Sequence, residues 1–395
     1  MKMKKSRILA LLLALTMCFA LAACGGDKTP TPEASGDKAT LKLGFIGPLT
    51  GGAALYGESA KRGAQIAVDE INDMTDGKLT IAFNPQDDEH DSEKAGYAYQ
   101  KLKDEGAQAI IGCVTTTPCL AVAPDANTDR MFMLTPSATS PKVTEGRDNV
   151  YQLCFSDPTM GNESAQFIQD KALATKVALI YNNADAYSQG IATAFKAKAN
   201  ELGLQIVSET TFASDDEKNF TVQLQDAKTK GAELIFMPIY YNPASLIIKQ
   251  AADMSYTPKF FGCDGMDGIL GIEGFDKTLA EGVMLMTPFN ADGQDNETKK
   301  FVESYKAKYN GEIPSQFAAD GYDCVYAIYK AAMDSGEDVS KMSAADFCEL
   351  MIKTFSSESF TFTGLTGENM TWSKTGEVAK NTIVFQIKDG VYAPM

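Results

Sequence analysis

Leu41-Lys42-Leu43-Gly44-Phe45-Ile46 is followed by a segment carrying Ala60, Ala64, Ala67 and Ile71, and then by Leu79-Thr80-Ile81-Ala82-Phe83. The first and last of these are apolar runs of strand length. In the middle segment the apolar residues recur every three or four positions, the period of a helix with one buried face. Strand, helix and strand in such close succession form a unit whose two strands run parallel, because the helix carries the chain back across the sheet.

The same alternation extends outward. Ala109 to Ile111, Met131 to Leu134, Val177 to Tyr181, Gln205 to Val207, Leu234 to Met237, Lys259 to Phe261 and Val283 to Met286 read as strands, and Ile191, Phe195, Ala199 and Leu202 mark one of the helices between them. The pattern predicts an α/β protein with doubly wound sheets. Residues 40 to 395 are more than one hydrophobic core ordinarily spans, so two lobes are expected. The alternation is interrupted by the irregular stretch Thr135 to Asp148 and resumes near Asn149. A last strand-like run, Thr382 to Ile387, follows helices that belong with the first lobe. The expected division is 40–154 plus 287–367 for lobe 1 and 155–286 plus 368–395 for lobe 2. Repeated crossing between lobes makes a hinge over a cleft, where small ligands bind at the C-terminal ends of parallel strands.

Upstream, Lys2, Lys4, Lys5 and Arg7 precede an uncharged apolar run from Ile8 to Ala23, the anatomy of a secretory signal over residues 1–23. The run is short for a permanent membrane span. It ends in Leu21-Ala22-Ala23-Cys24-Gly25-Gly26, which resembles the lipobox of bacterial lipoproteins. That resemblance implies that Cys24 carries lipid and becomes the first mature residue. Residues 24–39 are rich in Gly, Thr, Pro, Ser, Asp and Lys, the composition of a flexible tether. The expected location is therefore outside the cytoplasmic membrane, held to it through Cys24.

Composition narrows the function. The chain holds 36 Lys and Arg against 52 Asp and Glu, a net charge of −16, and loss of the four leader cations takes it to −20. Such a surface repels phosphate backbones, so nucleic acid is not a partner. Beyond Cys18 and Cys24, the cysteines at 113, 119, 154, 263, 324 and 348 form no CxxC pair. A domain of this size has core enough without staples, so free, buried thiols are expected. With His90 as the single histidine no metal cluster is expected. Neither a GxGxxG strand-helix turn, nor GxxxxGK[ST], nor a GxSxG elbow occurs, and one histidine makes a His-based triad improbable. Neither catalysis nor a cofactor is expected.

Gly44-Phe45-Ile46-Gly47-Pro48-Leu49-Thr50-Gly51-Gly52, Tyr56-Gly57 and Ala67-Val68-Asp69-Glu70-Ile71-Asn72 resemble the opening of leucine/isoleucine/valine-binding proteins. The resemblance continues in order through Ile110-Ile111-Gly112, Leu134-Thr135-Pro136-Ser137-Ala138-Thr139, Tyr187-Ser188-Gln189-Gly190 and Phe317-Ala318-Ala319-Asp320-Gly321-Tyr322-Asp323. It implies a two-lobed, class I periplasmic-binding-protein (Venus-flytrap) fold with three hinge crossings. It also implies a monomer that captures an α-amino acid, a branched-chain or other apolar one first, and delivers it to the permease of an ABC importer. Carried residue by residue, the carboxylate-binding position falls on Thr116, the turn that meets both charges on Ser137, Ala138 and Thr139, and the ammonium counter-ion on Asp264. Aromatic walls fall on Tyr56, Tyr187, Tyr241 and Phe317. Ser137 stands where the family commonly has Ala, and Asp264 where close relatives often have the longer Glu.

Physical chemistry reads the same residues independently. A zwitterion leaves water only if each charge finds a partner. Thr115, Thr116 and Thr117 precede Pro118, which as first helical residue leaves Thr117 as the cap and aims free amides outward, a ready anion site. The hydroxyl-rich loop Thr135 to Pro141 follows a strand closely enough for its backbone to approach a ligand, and Asp264 follows another strand. Two rival readings remain: a ligand without an ammonium, such as a short amide or an aromatic acid, and a receptor that signals through a partner protein.

Overall fold

The computed structural model describes residues 39–74 and 79–395. The leader, Cys24 and the tether up to residue 38 lie outside the described residues.

Two sheets organise the chain. The first contains β1 (Thr40–Gly47), β2 (Thr80–Asp87), β3 (Ala109–Gly112), β4 (Phe132–Thr135) and β5 (Val150–Gln152), all parallel in the order β2-β1-β3-β4-β5. Its crossover helices are α1 (Ala54–Met74), α2 (Ser92–Asp104) and α3 (Thr116–Asp129). The chain then enters the second half with α4 (Asp157–Asp170). β6 (Lys176–Asn182), α5 (Ala186–Leu202), β7 (Gln205–Phe212), α6 (Thr221–Thr229), β8 (Leu234–Met237), α7 (Tyr241–Asp253), β9 (Lys259–Gly262) and β10 (Met284–Met286) follow. Helices α8 (Asn296–Lys308), α9 (Gln316–Ser335) and α10 (Ala344–Phe355) return to the first half. After the small hairpin β11 (Thr371–Trp372) and β12 (Val378–Ala379), β13 (Val384–Lys388) and β14 (Val391–Pro394) close the second sheet, whose order is β14-β13-β10-β9-β8-β6-β7. In that sheet β13 alone runs against the others, antiparallel to both β10 and β14. The architecture is two doubly wound lobes joined by three crossings.

The helices return to the first sheet by close packing. A Cβ on Gly63 of α1 would lie 1.7 Å from the Ala318 carbonyl of α9, and one on Gly321 of α9 would lie 2.1 Å from that of Ala60. The two helices therefore touch backbone to backbone, which only glycine permits. Phe355 of α10 packs on Phe132 of β4 and Tyr151 of β5, at 5.1 and 5.3 Å between ring centres.

Lys380 pins the hinge. It is buried between β12 and β13, on the third crossing, and donates to the carbonyl of Leu153 on the first crossing (3.0 Å) and to Thr366 Oγ1 (2.9 Å). Its ammonium also lies 5.4 Å from the centre of the Phe155 ring and 3.9 Å from the buried Asp320. The hairpin before it faces the first lobe, where Trp372 Nε1 donates to the Gln152 carbonyl at 2.8 Å.

Several expected strand bounds shift. β2 runs on to Asp87, β4 and β10 begin one residue late, β7 continues to Phe212 where the apolar run stops at Val207, and β13 begins at Val384 instead of Thr382. β5, three residues long, is a strand the sequence reading did not mark. The irregular stretch Thr135 to Asp148 holds only a 3-10 turn at Pro141–Val143. Cys113, Cys119, Cys154, Cys263, Cys324 and Cys348 are free and buried.

Candidate ligand-binding site

Apart from Phe317, which starts α9 after another helix, the predicted ligand-binding residues follow the C-terminal end of a strand or start the helix after it, where loops of the two sheets face each other. Two hydrogen-bonded groups result, one in each lobe.

In the first lobe the helix cap differs from expectation. The N-cap of α3 is Thr115, not Thr117, and its side chain makes no capping bond. Pro118 is the third helical residue, still within the turn whose amides need no helical partner, so it costs the helix nothing there. Thr115 Oγ1 instead pairs with His90 Nδ1 at 2.9 Å. Thr116 Oγ1 accepts from the Thr139 amide at 3.2 Å, which leaves its proton to give. Ser137 Oγ donates to the Val114 carbonyl at 2.6 Å, and Thr139 Oγ1 donates to Asp157 Oδ1 at 2.6 Å. A hydroxyl has one proton, so Ser137 and Thr139 present lone pairs while Thr116 presents a donor. One edge of the loop thus suits an anion and the other a cation. Ala138 contributes neither backbone group: its amide donates to Thr135 Oγ1 and its carbonyl accepts from Gln152 Nε2.

The second lobe supplies the acid. Asp264 opens a 3-10 turn immediately after β9 and is 5% exposed. Its Oδ1 accepts from the Tyr187 hydroxyl (2.8 Å) and the Gly265 amide (2.9 Å). Its Oδ2 has no hydrogen-bond partner among the described residues, and the group makes no ion pair there. Burial pushes the carboxyl up to about 6 from an ordinary 3.8, against the hydrogen bond from Tyr187 that holds it down. A buried carboxylate short of a cation is a site built to receive one.

Aromatic rings join the lobes. The Tyr56 hydroxyl, from α1, donates to the Gly265 carbonyl and accepts from the Tyr241 amide (3.1 Å), and Phe317 packs on its ring at 4.5 Å. Tyr241 itself turns its hydroxyl to the Gly52 carbonyl at 2.9 Å. Its neighbour Tyr240, which sequence reasoning passed over, stacks on Tyr187 at 5.2 Å and meets His90 edge-on at 5.6 Å. Asp157 was missed as well: it is buried, its Oδ2 has no partner, and burial raises its carboxyl well above the ordinary value. The Tyr240-Tyr241 doublet at a strand end was the one available signal for the first, and no sequence signal marks the second.

Fold and cleft define a two-lobed solute-binding protein of the class I periplasmic type. The chain belongs to the periplasmic binding protein family, whose profile matches residues 40–391. Among curated relatives, a Leu/Ile/Val-binding protein homolog of Brucella melitensis is 28% identical over 302 residues, 75% of this chain and 79% of that one. Among solved structures, a leucine binding protein from Thermotoga maritima superposes with a TM-score of 0.79 at 29% identity, covering 90% of this chain and 97% of its own. The branched-chain amino acid transporter substrate binding protein LivJ of Streptococcus pneumoniae, in complex with isoleucine, gives 0.80 at 28%, covering 90% and 98%. Among the described residues no helix is long and apolar enough to cross a membrane.

Proposed function

We propose that this protein is the extracytoplasmic receptor of an ABC importer and binds an α-amino acid between its lobes. The observation that carries this reading is Asp264: a buried carboxylate, one oxygen committed to Tyr187 and Gly265, the other without a partner. The ligand's ammonium completes it, with Thr139 Oγ1 and Ser137 as further acceptors, and its carboxylate meets the Thr116 hydroxyl and the first-turn amides of α3. Tyr56, Tyr187 and Tyr240 wall the side chain, with Thr115 and His90 at one end and Phe317 behind Tyr56. Relatives named for leucine, isoleucine and valine make branched-chain amino acids the first to test. Asp264 argues against ligands without an ammonium.

The lobe division we propose is 40–154 plus 287–367 and 155–286 plus 368–395, with the hairpin of residues 371–379 held to the first lobe by Trp372. The receptor acts as a monomer docking on permease subunits. Its test is thermal stabilisation of the mature protein by a panel of amino acids, because a ligand of the folded state alone raises the melting temperature. Stabilisation by branched-chain amino acids and not by their deaminated acids supports the reading, and equal stabilisation by both defeats it.

We propose further that Cys24 carries a lipid. Cys24→Ala is expected to release the receptor or to leave its leader uncleaved, as membrane fractionation reads. A variant that is cleaved and still membrane-bound removes Cys24 from the anchor.

A further inference from the structure

Beside the second hinge crossing lies a cavity of about 650 Å³ that both lobes line. The first lobe contributes Leu55, Arg62, Gln316 and, just past the crossing, Phe289, and the second Asp267 and Leu270. Of the residues assigned to the amino-acid cleft only Tyr241 reaches it, and that through a side chain whose hydroxyl is held by Gly52. The volume falls in the range of small-ligand sites, roughly 300–1,000 Å³.

Two of the most deeply buried polar groups in its wall, Asp267 and Gln316, present acceptors. Asp267 is 2% exposed and accepts from the Gln316 amide and the Tyr392 hydroxyl, both at 2.8 Å, yet makes no ion pair among the described residues. Gln316 is 1% exposed. Its Nε2 donates to the Asp264 carbonyl at 3.0 Å, which fixes the orientation of the amide and leaves Oε1 buried with no partner. One buried acceptor, Gln316 Oε1, thus stands in the wall without a donor, beside an Asp267 whose two oxygens are hydrogen-bonded but whose charge meets no cation among the described residues. Of the two cations in the lining, Arg62 is held by Glu312 at 2.6 Å and Glu58 at 3.5 Å, and Lys277 is exposed. The sides are apolar, formed by Leu55, Leu270 and Phe289.

We infer that this cavity is a second small-molecule site, taking an organic ammonium ion with an apolar body. The ammonium meets Asp267 and Gln316 Oε1, and the body lies among Leu55, Leu270 and Phe289. A buried acceptor without a donor and a buried charge without a counter-ion are both costly, and an ammonium gives Gln316 Oε1 its donor and Asp267 its counter-charge at once. Because both lobes line the cavity, its occupant favours the closed arrangement. By linkage the amine and the cleft ligand then strengthen each other's binding to the same degree.

Calorimetry on the full mature chain tests this with 2-phenylethylamine as probe and 2-phenylethanol as its uncharged counterpart. The amine is expected to bind at least tenfold tighter than the alcohol, and to remain bound in saturating leucine. Asp267→Asn is expected to weaken it at least tenfold, and Leu270→Trp, which fills the cavity, to abolish it. If Asp267→Asn does not fold, Leu270→Trp alone decides. Displacement of the amine by leucine, equal binding of amine and alcohol, or indifference to Leu270→Trp each overturns the inference. The titration reads the cavity even if no amino acid binds the cleft, so the two proposals fail separately.

Discussion

Asp264 holds its charge at a cost that only a ligand relieves. Its carboxyl titrates near 6 in the empty protein against 3.8 unperturbed, because burial disfavours the anion. A raised acid binds more protons folded than unfolded, so its contribution to stability is full below pH 3.8 and is lost as pH rises through 6. The loss is on the order of 3 kcal/mol. An ammonium bound to Oδ2 pulls the value back down, so binding expels a proton below pH 6. Affinity for the amino acid is therefore expected to be flat above pH 6.5 or so and to fall about tenfold for each pH unit below 6. Asp264→Asn should abolish that pH dependence and weaken binding at neutral pH by a hundredfold or more, since removing one partner strands the other charge. Calorimetry at pH 5, 6 and 7.5 checks both, and a wild-type affinity that ignores pH removes Asp264 from the ammonium site. The proposed roles of Asp264, Tyr187 and the hydroxyl loop came from the family resemblance, but their standing at strand ends was legible in sequence, because each follows a strand that periodicity marks. Asp157 and His90 were not, because what brings them to Thr139 and Thr115 is contact between loops of different strands, and no local pattern encodes that.

Among the elements, the contact of α1 with α9 is the least forgiving. Gly63→Ala would drive a methyl group into the Ala318 carbonyl, so the helices must separate. A loss of several kcal/mol, or failure to fold, is expected by chemical denaturation. Gly96 of α2 has nothing within 4 Å of its added Cβ, so Gly96→Ala should gain up to about 1 kcal/mol from helix propensity alone. Equal effects of the two substitutions would mean that backbone contact does not hold the helices. The helical stripes read well from sequence because one face of each is covered by a sheet. β5, at three residues, is too short for periodicity to register, and the cap of α3 moved because the helix starts at Thr116 and tolerates Pro118 as its third residue, inside the first turn.

At the scale of the whole molecule, closure is held by polar contacts between lobes: Tyr56 to Gly265, the Tyr241 amide to Tyr56, and the Tyr241 hydroxyl and Asn242 Nδ2 to the Gly52 carbonyl. Tyr241→Phe deletes one of these while Asn242 still serves Gly52. The expected cost is that of one hydrogen bond, about threefold to tenfold in amino-acid affinity, with the midpoint of ligand-driven compaction in small-angle scattering shifted equally. Unchanged affinity and midpoint would mean that this contact does not bias closure. The two lobes followed from chain length, and repeated crossing from the break in the strand-helix alternation and the last strand-like run, while the number of crossings came from the family resemblance alone. Lys380 as the hinge pin did not, since a lone lysine in a loop ordinarily faces water.

The six buried thiols make the chain its own stopwatch. No alkylating reagent reaches Cys113, Cys119, Cys154, Cys263, Cys324 or Cys348 until the surrounding core opens. Burial also raises the thiols at 113, 154, 263 and 324 far above their ordinary value, so they stay protonated and inert for as long as they are covered. The speed at which label accumulates therefore counts openings of each half separately, Cys113 and Cys119 for the first sheet and Cys263 for the second. A chain with this arrangement also matures without an oxidant, and it should fold as readily in a reducing cytosol as outside the membrane.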